Sequence, residues 1–226
     1  MLKVHPHRQT TLETSSQEAI LDAATQEFAR KGFAGARVHA IAAEAGVNIA
    51  LLYYYFDTKE RLYAAVLEGL FAEWALRVTA ALENEGTPGQ KVIAYVEAYF
   101  DFVAEAPYRP RLVQQEMAQV GTSATQCVTS FATRYVRPVH RMLLRLLNDG
   151  CEQGEFRRVS SDFVYTISAS IVGYFTSSTF IQAMTGHDPL TPAKVAERRN
   201  SVLDTISAAL FAGPRAAGIR HKEGHK

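Results

Sequence analysis

Residues 46–61 read Gly46-Val47-Asn48-Ile49-Ala50-Leu51-Leu52-Tyr53-Tyr54-Tyr55-Phe56-Asp57-Thr58-Lys59-Glu60-Arg61, and the fold turns on this stretch. It follows an Ala-rich segment, Val38 to Ala45, that closes on Gly46. Two short helices joined by a Gly-containing turn are the sequence form of a helix-turn-helix. The second helix is only about two turns long, yet it carries three consecutive tyrosines. Each buried hydroxyl needs a partner, so a helix this short would not bury phenols on every face. Some of them are expected to meet a polar ligand, and in a helix-turn-helix that ligand is DNA. Successive helical residues turn by about 100°, so the three rings cannot point one way. Tyr53 and Tyr54 are read as DNA contacts, Tyr55 and Phe56 as packing on the domain core.

The run Ile41-Ala42-x-x-Ala45-Gly46-Val47, then Leu52-Tyr53-Tyr54-Tyr55-Phe56, then Lys59-Glu60-x-Leu62 resembles the signature of the tetracycline-repressor (TetR) family of transcriptional regulators. The match spans roughly Ser16 to Leu70; beyond it the resemblance is one of architecture. It implies an all-α chain, with a three-helix DNA-binding domain followed by a helical domain for effector binding and dimerisation. The implied partners are double-stranded operator DNA with an inverted repeat, a second copy of the chain and a small-molecule effector. Two departures bear on reading. Asn48-Ile49-Ala50 stands where the family often has Ser-Lys-Gly or Ser-Xaa-Gly, and Arg37 stands where a threonine is common. The operator is therefore not carried over from a relative.

Around the tyrosines, Asn48 either caps the second helix or reaches a phosphate, and the two roles are compatible. Ile49 and Ala50 stand where side chains first enter the groove. Neither can hydrogen-bond a base, but both can touch a thymine methyl. Arg37 and Lys59 flank the motif and are read as phosphate clamps rather than as solvated charge, with His39 as a further candidate. Net charge gives no help: it is +1, and residues 1–61 hold seven Lys/Arg against seven acids. An electrostatic footprint must come from arrangement.

Every strong period along the chain is helical. Ser15 with Glu18 offers a capping box for a first helix that stops near Lys31-Gly32. Asp57 or Thr58 caps a long helix with the stripe Leu62, Val66, Leu70, Trp74, which ends near Asn84. Glu85 to Gly89 and Pro107-Tyr108-Arg109-Pro110 are breaks, and Gly121 interrupts the short helix that follows the second. A helix from Thr122 to about Cys151 is expected to kink before Pro138. Asp162 to Thr185 is apolar around most of its circumference, which suits a helix shared between a core and a partner. Thr191-Pro192 opens the last helix, which stops at Gly213-Pro214. That makes about nine helices, in domains 14–60 and 61–213, with flexible tails at 1–13 and 214–226.

The second domain is rich in aromatics interleaved with Ser, Thr and Gln, the mixture of apolar wall and few polar anchors that a pocket needs. The resemblance implies a cavity lined by Tyr99, Met117, Phe131, Tyr135 and Tyr174, with Ser170 as a small pocket-facing position. The last two helices are expected to pair with those of a second subunit, through Ile171, Phe175, Val202, Ile206 and Leu210.

Other classes are poorly served. His140, Asp149, Cys151 and Glu152 lack triad or metal spacing, His187-Asp188-Pro189 is a turn, and His221 and His225 share only a helical spacing in the tail. No catalytic residue, metal or cofactor is expected. Cys127 and Cys151 read as reduced thiols. The hydrophobic share of 47% and charged share of 21% are those of a globular protein. No apolar run approaches the roughly 20 residues of a membrane span, and the N-terminus lacks a signal-peptide core. The expected location is the cytoplasm. The competing readings are a constitutive DNA-binding regulator without effector, and a helical carrier or enzyme.

Overall fold

The computed structural model describes residues 6–117 and 123–211, with side chains omitted over 6–14 and 123–126. Gly121, the stop at Gly213-Pro214, the tail from Arg215 to Lys226 and its two histidines lie outside the described residues. Among the described residues the secondary structure is helical, apart from one antiparallel bridge between Phe156 and Phe211.

α1 (Pro6–Gly35) does not begin at Ser15: it runs through that residue from Pro6. Nothing between Pro6 and Ser15 breaks a helix, so the capping box falls inside one. The stop is where glycine was expected to put it, since Gly32 leaves the helical region at φ 67°. α2 (Val38–Glu44) and α3 (Ile49–Phe56) follow, joined by a turn in which Gly46 takes φ 67°, a value that costs a side chain but not glycine. Asn48 caps α3, its Oδ1 accepting from the Leu51 N–H at 2.8 Å. The cap of α4 (Lys59–Glu83) is Thr58, whose hydroxyl accepts from the Arg61 N–H at 3.2 Å. Asp57 instead closes α3, at φ 59°. α5 (Pro88–Glu105) has a full capping box of Thr87 and Gln90.

α6 (Arg109–Met117) begins after the proline-marked break. α7 (Ser123–Phe131), a π-helical turn (Ala132–Val136) and α8 (Arg137–Glu152) form one interrupted rod. The interruption precedes Pro138, which has no N–H for a helical bond and whose ring crowds the preceding turn. α9 (Phe163–Thr176) and α10 (Ser178–Thr185) were expected as one helix but part at Ser177. There the Thr176 hydroxyl donates back to the Val172 carbonyl at 3.1 Å, competing with the backbone ladder, and buried Ser178 is bonded to Arg111 at 2.5 Å. α11 (Pro192–Leu210) closes the described chain. Eleven α-helices are thus described against the nine expected; the excess comes from the breaks at the π turn and at Ser177.

Two cores organise these helices. The first joins α1, α2, α3 and the start of α4, with Phe28, Ile41, Leu52, Leu62 and Leu67 fully enclosed, and it also takes in Leu112 of α6. The second gathers the end of α4 with α5, α8, α9 and α11. α4 therefore belongs to both, Leu62 to Leu70 in one and Trp74 to Leu82 in the other. The second core corrects an expectation. Ile171, Phe175, Val202, Ile206 and Leu210, expected at a subunit interface, are all 0–2% exposed within the single chain. α9 and α11 spend those faces on α5, so the residues cannot meet a partner. The same region leaves exposed Tyr165 of α9, at 63%, and Phe180 and Met184, one turn apart on α10 and each 65% exposed.

Candidate nucleic-acid interface and internal cavity

α3 is built to show one face. Leu52 and Phe56, four apart, are buried in the first core, and Ile49 packs against it from the rim. Ala50, Tyr53 and Tyr54 share the opposite face at helical spacings of three and four. Ala50 is exposed, as are Tyr53 and Tyr54, the latter at 78%. An aromatic ring left this open lies outside the core of the chain. Tyr55 is half-buried, its ring edge-on to Tyr54 at 5.4 Å between centroids. Arg37, His39 and Asn48 are exposed beside this face. Lys59, at the first position of α4, is half-buried because its ammonium sits 4.8 Å over the Phe33 ring. Of the eight residues expected to touch DNA, Ile49 and Lys59 also pack within the chain.

The motif is held in place by a buried carboxylate. Glu27 on α1 is 2% exposed and accepts from Lys31 and Arg30 at 2.8 Å each and from the Arg37 N–H at 3.3 Å. The Lys31 hydrogen bond, with those of Arg30 and Arg37, outweighs desolvation and holds its pKa at about 2. It therefore stays charged and ties the start of α2 to α1. Nothing in the sequence pattern marked Glu27, because its last partner is a backbone N–H ten residues away.

Between the two cores lies a cavity of about 430 Å³ walled by α4, α5, α6, α8 and α9. Tyr99 and Met117 line it as expected. Phe131, Tyr135, Ser170 and Tyr174 do not, and each has another task. Phe131 backs the wall by packing on Phe71 at 6.1 Å. The Tyr135 hydroxyl donates to Glu68 at 2.9 Å. The Ser170 carbonyl accepts from Arg198, and the Tyr174 hydroxyl donates to the Pro189 carbonyl at 2.7 Å. Gln114, one of the polar residues that sequence reading set among the aromatics, is in the wall, and the wall residues it missed are Trp74, Arg109, Val113, His140 and Ser168, among others. Arg109, Val113, Gln114 and Met117 share one face of α6, a spacing that was legible once the prolines had placed that helix.

The wall is apolar and aromatic with few polar groups. Trp74 stands edge-on to Tyr99 at 5.4 Å, and the Tyr99 phenol, bonded to Ser168, is pushed up to about 12 by burial. Among the described residues, Trp74 Nε1 and His140 Nε2 have no hydrogen-bond partner. α6 has a second face: Glu116, 2% exposed, accepts from the Tyr63 hydroxyl of α4 at 2.6 Å. One short helix therefore touches both the cavity and the core that carries the helix-turn-helix. No group of three or more His, Cys, Asp or Glu side chains among the described residues could hold a metal ion, and no helix among them is long and apolar enough to cross a membrane.

Comparison with known proteins agrees with this division. Residues 20–66 match the family model for bacterial regulatory proteins of the tetR family, and residues 88–206 match that for a tetracyclin repressor-like C-terminal domain. The chain is 31% identical over 140 residues to the HTH-type transcriptional repressor SCO4008 of Streptomyces coelicolor, covering 62% of this chain and 67% of that one. It is 35% identical over 104 residues to the HTH-type transcriptional regulator RutR of Escherichia coli, a match that spans 46% of this chain and about half, 49%, of RutR. Among solved structures, FadR from Bacillus subtilis in complex with stearoyl-CoA superposes with a TM-score of 0.65 at 21% identity, over 85% of this chain and 98% of that one.

Proposed function

The chain belongs to the tetR family of bacterial regulatory proteins and is a helix-turn-helix transcriptional regulator, and on that premise we propose that it is a homodimeric repressor released from an inverted-repeat operator by a small apolar or amphipathic effector. Arg37, His39, Asn48, Ala50, Tyr53, Tyr54 and Lys59 are the proposed DNA contacts, with Ile49 at the rim. The effector site is the cavity between the cores. The observation that carries the reading is the double role of α6, which walls the cavity with Val113 and Met117 and enters the DNA-binding core with Leu112. A molecule that fits better when α6 is displaced shifts the position of the helix-turn-helix by its differential affinity for the two arrangements. FadR, which shares the fold, is known with stearoyl-CoA bound, and this supports a ligand-accepting second domain.

The test begins with selection of binding sites from random duplex DNA by the purified protein. An inverted repeat should emerge, and operator affinity should fall when a cavity ligand is added. By linkage the operator must weaken that ligand by the same factor. Selected sites without two-fold symmetry would remove the dimeric reading. Ligands that bind the cavity and leave operator affinity untouched would favour a constitutive regulator.

A further inference from the structure

We propose that the cavity selects an uncharged, mainly apolar molecule bearing one or two oxygen functions, with Trp74 and His140 as its polar anchors; this rests on the reading of the cavity as the effector site. The exclusion of charge follows from the wall. No Asp or Glu is among the described residues that line it, so a ligand ammonium would have no counter-ion. Arg109 is the one Arg or Lys among the described residues of the wall, and its guanidinium is already engaged. It lies 3.1 Å from Glu73, donates to the Phe102 carbonyl at 3.0 Å and stacks 4.4 Å over the Phe102 ring. Glu105 stands behind it at 4.0 Å. A ligand carboxylate would have to displace Glu73 and would then face two acids. A phosphorylated head group meets the same obstacle with more charge. Burial raises the pKa of the Tyr95 and Tyr99 phenols, Tyr99 to about 12, so they too stay neutral. An ion moved from water to such a wall is not repaid for its lost hydration.

The polar anchors follow from what the wall leaves unsatisfied. Trp74 is 8% exposed, and its Nε1–H, a donor only, has no hydrogen-bond partner among the described residues. His140 Nε2 is likewise unpartnered. Neither nitrogen is open to solvent, so bulk water does not compensate them, and an orphaned buried polar group costs free energy until a partner arrives. A carbonyl, ether or hydroxyl oxygen accepts from the indole. A hydroxyl suits His140 in either tautomer, because it both donates and accepts. Both nitrogens are covered, so their use as anchors requires each ring to turn towards the ligand. Trp74 is the only tryptophan of the chain, and its emission therefore reports on the cavity directly.

The experiment titrates the full-length protein with decanol, methyl nonanoate, decanoate and decylamine, all below aggregation, following Trp74 emission and repeating each titration by calorimetry. Decanol and the ester should bind saturably and at least tenfold more tightly than the carboxylate or the amine. His140→Phe and Trp74→Phe, the latter read by calorimetry alone, should each weaken decanol by about five- to tenfold, the loss of one hydrogen bond. Decanoate or decylamine binding as tightly as decanol would overturn the exclusion of charge. Unchanged decanol affinity in both variants would overturn the anchors, and failure of all four compounds to bind would overturn the site. Neutral compounds that bind as expected without altering operator affinity would uphold this inference while removing the ligand-responsive reading.

Discussion

At the scale of single residues, exposure separates the proposed DNA contacts from residues that hold the fold. Tyr54 is 78% exposed, so Tyr54→Ala should leave the melting temperature unchanged while lowering operator affinity by about 1–3 kcal/mol per half-site if its ring or hydroxyl meets a base. Lys59→Ala should weaken all DNA sequences alike and lower the salt slope by about one unit per site. Competition titrations at several salt concentrations separate the two, and equal affinities for wild type and both variants would refute the assignment of α3 and the start of α4. Glu27 makes the opposite case. Its pKa is lowered from 4.5 to about 2 in the folded chain, so its stabilising effect is complete above the unfolded value and fades as pH falls towards 2. Wild type should therefore lose stability over that acid window more steeply than Glu27→Gln, which at neutral pH should itself be less stable by about 1–3 kcal/mol. Parallel acid-unfolding curves would contradict this. The exposure of Tyr53 and Tyr54 was legible because local sequence sets which face of a short helix they occupy. Glu27 was not, because its charge balance is assembled by the fold.

At the scale of elements, α6 is the piece whose two faces matter. The Tyr63–Glu116 hydrogen bond is one polar attachment of α6 to α4, beside the Arg109–Glu73 ion pair, and the Tyr63 ring lies 5.1 Å from Phe33, over which Lys59 sits. Tyr63→Phe keeps the ring and removes the bond. The expected result is near wild-type affinity for operator and for a cavity ligand measured separately, with a reduced factor by which either weakens the other, since coupling of this kind is typically about 1–3 kcal/mol in total. A coupling factor equal to wild type would show that the bond serves stability alone. The caps of this region were readable from sequence: Asn48 and the alternative Thr58 both accept the N–H three residues on, a purely local geometry. The breaks were less so. Pro138 announced its π turn through missing donor chemistry, whereas at the parting of α9 from α10 the contact to Ser178 comes from Arg111 on another helix.

At the scale of the whole molecule, the distribution of apolar surface assigns different tasks to the last helices than their composition suggested. Phe175→Glu or Ile206→Glu places a charge in a core where the native residue is 0% exposed, and should unfold the second domain rather than release folded monomers. Phe180→Glu combined with Met184→Glu alters only exposed positions. If α10 contributes to the homodimer, sedimentation should show folded monomers with unchanged circular dichroism. A double variant that remains dimeric would move the interface elsewhere. The sequence by itself determined the helix-turn-helix, its tyrosine face, the caps and the proline- and glycine-marked ends, all consequences of backbone chemistry within a few residues. It also determined that α9 is apolar on more than one side. Only the tertiary structure decided which side meets α5, which aromatics wall the cavity and which merely back it. Those outcomes depend on how helices distant in the chain divide one limited set of buried faces, and a periodic pattern says that a face is apolar without saying what covers it.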